Sequence, residues 1–182
     1  MMTLSNAGRL AALTLGLSPV LATAQEAEPP TPCAAEEYRQ FDFWLGSWEV
    51  TTPDGNVAGT NTIDSILSGC ALRERWRGTR GMTGTSTNTY YPQEATWHQT
   101  WVDDRGGFLL LSGGLEAGSM VLEGEMMDDE GPATHRITWT PVSAGEVRQL
   151  WEISRDGGAT WSVLFDGRYV RAEAAPAGDA AE

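Results

Sequence analysis

Between residues 38 and 171 the sequence breaks into short stretches of alternating apolar and polar character, each ended by a cluster of Gly, Asp, Pro or Asn. Alternation of period two sends successive side chains to opposite faces of an extended chain, and such clusters turn the chain back on itself. These signals divide the region into about ten strands, near residues 47–52, 57–66, 70–77, 83–91, 96–103, 107–113, 118–126, 135–140, 146–154 and 160–171. Hairpin turns are explicit at Pro53-Asp54-Gly55, Asp104-Arg105-Gly106 and Asp156-Gly157-Gly158, and no stretch carries a helical apolar stripe. A row of consecutive antiparallel strands leaves two unpaired edges unless it closes on itself. The pattern therefore predicts an all-β fold: a single antiparallel up-and-down closed barrel of about ten strands, with Phe41, Phe43 and Trp44 forming a short N-terminal 3-10 or helical plug. A barrel of more than about eight strands is wider than its own side chains fill, which leaves room for a ligand.

The flanks read differently. Residues 1–24 hold one charge, Arg9, then the apolar run Leu10 to Leu21 and the small-x-small triplet Ala22-Thr23-Ala24. This is the pattern of a secretory signal peptide cleaved after Ala24. A membrane anchor needs about 20 apolar residues, and Thr14, Ser18 and Pro19 interrupt a shorter run. A lipoprotein would carry a Cys just after that run, whereas Cys33 follows Pro30-Thr31-Pro32. Residues 25–37, rich in Glu, Ala and Pro, and residues 172–182 read as solvated, disordered tails around a barrel at 38–171. The expected location is periplasmic or secreted, where Cys33 and Cys70 can pair; a free buried thiol is the alternative.

Composition narrows the chemistry. Acidic residues outnumber basic ones 25 to 12, for a net charge of −13, which disfavours nucleic acid and anionic membranes as partners. Every basic residue is Arg, so lysine Schiff-base chemistry and the lysine of phosphate-cradling loops are excluded. Two cysteines and two histidines leave no metal site to predict, and Asp128-Asp129-Glu130 reads as a solvated hairpin tip, lacking the spaced ligands of a calcium loop. Ser154 to Trp161 follows the S-x-D-x-G-x-T-W box, a turn device with no catalytic part.

The run Phe41-Asp42-Phe43-Trp44-Leu45-Gly46-Ser47-Trp48-Glu49-Val50 resembles the opening box of a bacterial family of domains of unknown function, whose exported members are thought to be calycin-like barrels. Further matches are Gly69-Cys70 with Glu74 and Trp76, the run from Gly84 to Tyr90, and the run from Trp97 to Asp103. Gly46-Ser47-Trp48 is similar to the Gly-x-Trp signature that opens the first strand of lipocalins. The resemblance implies structural roles for Gly46, Trp48 and Arg168, the last similar to the arginine that closes calycin barrels by stacking on the opening Trp.

Strand parity separates the lumen from the outside. Threonine rows belong on the solvated face and large aromatics inside, which puts Leu72, Glu74 and Trp76, then Ser86, Asn88 and Tyr90, then Trp97, Gln99 and Trp101 inward. Arg73, Arg75 and Arg77 take the outer face. In later strands the inward set reads Phe108, Leu110, Met120, Leu122, His135, Ile137, Trp139, Gln149, Trp151, Val163, Phe165 and Tyr169. A mostly apolar lining with a few polar groups is what a small-molecule site requires. Ligand-binding residues are therefore expected at Trp76, Ser86, Asn88, Tyr90, Gln99, Trp101, Trp139, Gln149 and Trp151, serving a small hydrophobic or aromatic ligand in a monomer or weak dimer; the same polar groups could instead form a network that only fixes register.

Two other readings stand beside that one. An enzyme on the same barrel, a lyase, isomerase or hydrolase, would use Glu74 as general acid or base with Tyr90 or His135 as partner. An envelope interaction protein would have a closed cavity. No cofactor is expected; haem through His135 is the minor option, since one histidine is the least such a site needs.

Overall fold

The computed structural model describes residues 32–172. The segment 1–24 expected to be a signal peptide, and residues 25–31 and 173–182 of the expected tails, lie outside the described residues. Two 3-10 turns, Glu36–Arg39 and Asp42–Trp44, lead into ten strands: β1 (Gly46–Thr51), β2 (Val57–Ile66), β3 (Ala71–Gly78), β4 (Thr83–Tyr91), β5 (Thr96–Asp103), β6 (Phe108–Glu116), β7 (Ser119–Asp128), β8 (Gly131–Ser143), β9 (Glu146–Ser154) and β10 (Ser162–Arg171). Each strand pairs antiparallel with the next, and β1 pairs with β10, so the sheet closes into one barrel. Closure removes the edges that an open meander would expose. Among the described residues no helix is long and apolar enough to cross a membrane.

The largest difference in strand limits is β8, which runs from Gly131 to Ser143 where the sequence signals bracket only 135–140. Pro132 and Pro141 obscure its ends. Pro132 sits beside the β7–β8 turn opposite Met127, and Pro141 adjoins a register shift, positions where a missing N–H is tolerated. The start of the barrel is also more ordered than the 25–37 linker reading implies. Cys33 is bonded to Cys70, so the expected pairing is present, and the first 3-10 turn begins at Glu36.

One end of the barrel is sealed. Phe41 stacks on Trp44 at 4.9 Å and meets Trp97 and Trp139 edge-on at 5.8 and 5.2 Å. Trp48 Nε1 donates to the Trp44 carbonyl at 2.9 Å, and Trp97 Nε1 donates to Gln40 Oε1 at 3.1 Å. Phe41, Trp44, Trp48, Trp97, Trp139 and Tyr169 are all fully buried. The alternation of strand directions then sends the hairpin turns after β1, β3, β5, β7 and β9 to the opposite end.

The arginine over the opening Trp is Arg171, not Arg168. Its guanidinium lies 4.5 Å from the Trp48 ring, because β1 and β10 align Trp48 with Arg171. Arg168 pairs instead with Glu146 on the surface, at 2.6 and 2.8 Å. Gly46 has φ +124, and a Cβ there would meet Arg171 Nη1 at 2.3 Å. The glycine of the Gly-x-Trp triplet thus supplies both a left-handed backbone and the space that the stacking arginine occupies.

The box from Ser154 to Trp161 is a turn. Asp156 accepts from the Thr160 N–H at 2.8 Å and from the Ser154 and Thr160 hydroxyls, and these bonds hold its carboxyl down at about 2. Trp161 donates to the Gly158 carbonyl and carries the Arg136 guanidinium 3.8 Å from its ring.

Candidate functional site

Inside the unsealed end lies a cavity of about 200 Å³. Its walls are Trp76, Trp101, Trp139 and Trp151 with Leu109, Ile137 and Phe165, and Met82 and Leu164 lie toward the mouth, where Leu164 is about half exposed. Polar atoms come from Glu74, Gln99, Gln149 and Tyr169. The volume is of the order of an apolar cavity that holds one benzene ring.

The cavity exists partly because rings lie flat against glycines. A Cβ on Gly84 would sit 2.2 Å from the Trp101 indole, and one on Gly167 would sit 2.5 Å from the Phe165 ring. Trp76 likewise leans on Gly59, with 2.8 Å to a Cβ built there. Rings folded onto the wall cover the glycines and leave the lumen open.

Glu74 is the centre of a buried hydrogen-bond network. Its Oε1 accepts from Asn61 Nδ2 at 2.6 Å and its Oε2 from the Ser86 hydroxyl at 2.7 Å. Ser86 Oγ in turn accepts from Asn88 Nδ2 at 2.9 Å, and Gln99 Nε2 donates to Asn88 Oδ1 at 2.8 Å. On the other side Gln149 Oε1 accepts from Tyr169 Oη at 2.5 Å and from Trp139 Nε1 at 3.1 Å. Burial pushes the Glu74 carboxyl up to about 7, against the lowering effect of Ser86 and Asn61. Burial, and then the charge of Glu74, hold the Tyr169 phenol well above its ordinary value.

Of the expected catalytic and ligand-binding residues, Glu74, Trp76, Gln99, Trp101, Trp139, Gln149 and Trp151 line this cavity. Ser86 and Asn88 are buried behind it as the support of Glu74. Tyr90 is elsewhere: it packs edge-on against Tyr38 at 5.3 Å and near Trp97 at the sealed end. His135 is buried beyond the lining residues, where its Nδ1 accepts from Trp151 Nε1 at 3.0 Å, and burial lowers its pKa. A haem finds no fit, because His135 does not line a cavity that is itself below the size range of pockets for drug-sized molecules.

Three inward assignments fail. Phe108 and Leu110 are more than half exposed, and Leu109 and Leu111 face the lumen in their place. The run Phe108-Leu109-Leu110-Leu111 does not alternate, so only its pairing of Trp101 with Leu109 reveals which face is inside. Val163 is also exposed, because a register shift between Val163 and Phe165 reverses the parity of β10. Asn61 was not legible as a site residue within the polar stretch Thr60-Asn61-Thr62; its shared parity with buried Ile63 was the available signal.

No family model matches this sequence, and no curated protein matches it either.

Proposed function

We propose that this chain is an exported calycin-like barrel that binds a small hydrophobic or aromatic molecule in its Trp-lined cavity. The observation that carries the reading is the cavity of about 200 Å³, walled by four indoles with Glu74, Gln99 and Gln149 at polar positions. Apolar walls exclude water and supply stacking area, while a few fixed polar groups orient the guest. The Cys33–Cys70 bond fits an oxidising compartment and so supports export. Saturable change in tryptophan fluorescence on adding single-ring aromatic compounds is the expected result. A flat response across cationic, neutral and anionic members of that panel would refute binding.

A second reading is favoured by one observation, the enclosed Glu74 carboxyl with its pKa near 7. A group balanced between its two forms near neutral pH is suited to general acid or base work. Tyr169, linked to Glu74 through Asn61 at 3.4 and 2.6 Å, is better placed as its partner than Tyr90. Under this reading, a bound compound recovered after incubation with wild-type protein shows a changed mass or, for isomerisation, a changed NMR spectrum, and neither change with Glu74→Gln; a compound recovered unchanged in both mass and spectrum from the wild-type protein overturns it.

A further inference from the structure

The cavity places a carboxylate among aromatic side chains with no cation among the described residues to balance it. Arg73 and Arg75, the sequence neighbours of Glu74, point outward to Asp64 at 3.5 and 2.7 Å. Among the described residues no arginine lines the cavity and no ion pair involves Glu74. Yet the surrounding network is wired for the ionised form. Ser86 Oγ accepts from Asn88 Nδ2, so its own proton is directed at Glu74 Oε2, while Asn61 Nδ2 serves Oε1. Both carboxylate oxygens therefore meet donors, leaving their remaining lone pairs for a guest.

We propose that the cavity selects a small organic cation, a primary ammonium carried on a single aromatic ring, with Glu74 as its counter-ion and the indoles of Trp76, Trp101 and Trp151 as its walls. This rests on the cavity being a binding site and names the class of guest. A buried charge is stable only when paired, and the missing partner here is positive. Indole faces attract cations, more strongly where water is excluded. Gln99 gives its Nε2 to Asn88, and its carbonyl, without a hydrogen-bond donor among the described residues, is a second acceptor for ammonium protons. A carboxylate guest would instead face Glu74 with like charge.

The polar groups sharing the cavity with Glu74, or bonded to it, are Asn61 from β2, Ser86 from β4, Gln99 from β5, Gln149 from β9 and Tyr169 from β10. Of these only Tyr169 titrates, and burial keeps its proton on. His135 on β8 lies outside the lining. Glu74 is thus the group whose ionisation governs cation binding, and burial places that ionisation near 7.

The test measures affinities of the full chain for benzylamine, benzyl alcohol and benzoate by calorimetry or tryptophan fluorescence at about pH 8. Benzylamine is expected to bind at least about tenfold tighter than benzyl alcohol, with benzoate weakest. Glu74→Gln should bring benzylamine affinity down to that of benzyl alcohol, which removes the preference. Should that variant not fold, the wild-type protein decides: benzylamine affinity falls as pH drops through about 7, and benzyl alcohol affinity stays level. If benzyl alcohol or benzoate binds as tightly as benzylamine, the cation inference fails and the cavity reading stands. If none of the three binds, the cavity reading fails as well.

Discussion

At the scale of single residues, Gly46 and Arg171 do work that the Gly-x-Trp triplet alone does not explain. Gly46→Ala introduces a Cβ at positive φ and into the Arg171 guanidinium, and it should destabilise by about 1–3 kcal/mol. Arg171→Ala loses the contact over Trp48, worth about 0.5–2 kcal/mol. Arg168→Ala removes only a solvent-screened surface pair with Glu146 and should leave the urea midpoint almost unchanged. Urea midpoints order these variants, and Arg168→Ala proving more harmful than Arg171→Ala would refute the assignment. Glu74 gives a pH signature. Its carboxyl titrates near 7 when folded, against 4.5 ordinarily, so the unfolded chain gives up this proton first as pH rises. Stability should fall between those values, by an amount on the order of 3 kcal/mol, and level off above them. Glu74→Gln should flatten that slope; equal slopes in the two proteins, measured by denaturant titration between about pH 4.5 and 8, would show that Glu74 is not its source.

At the scale of elements, turn chemistry and alternation made the strands legible. The turns at 53–55, 104–106 and 156–158 and the Thr rows of β4 were sufficient, because both act within a few residues. Parity failed where alternation did. In β6 an unbroken apolar run hides its inner face, and in β10 the shift before Phe165 reverses it. The β5–β6 pairing settles the first case, since Trp101 and Leu109 stand opposite each other. Flattened rings against glycines belong to this scale too. Gly84→Ala would push the Trp101 indole off the wall and into the cavity, with an expected affinity loss of about tenfold for benzyl alcohol. Gly114→Ala, where a Cβ meets open space, is the control. Equal affinities in the two variants would mean that Trp101 does not shape the site.

For the whole molecule, the Cys33–Cys70 bond spans 37 residues that include the plug, β1 and β2. Closing that loop should stabilise the fold by about 3–4 kcal/mol. A Cys33→Ser/Cys70→Ser variant is expected to lose that much unfolding free energy, read from a urea titration as a lower midpoint, and an unchanged midpoint would remove the bond from the stability of the barrel. The sealed end and the open end also belong to this scale, since they follow from how all ten strands alternate around the closed sheet. The strands, the turns, closure as the way to satisfy the edges, and the inward direction of Glu74 and the cavity indoles are all readable along the chain. Those depend on local periodicity, which the chain carries in every segment. Tertiary structure alone decided that Arg171 and not Arg168 covers Trp48. It also decided that Asn61 and Tyr169, 108 residues apart, meet beside Glu74, and that Tyr90 lies at the sealed end. The first two follow from the register in which the first and last strands join, and the third from which end of the barrel the plug closes; no local pattern encodes either, because both are set by pairing and packing across the whole length of the chain.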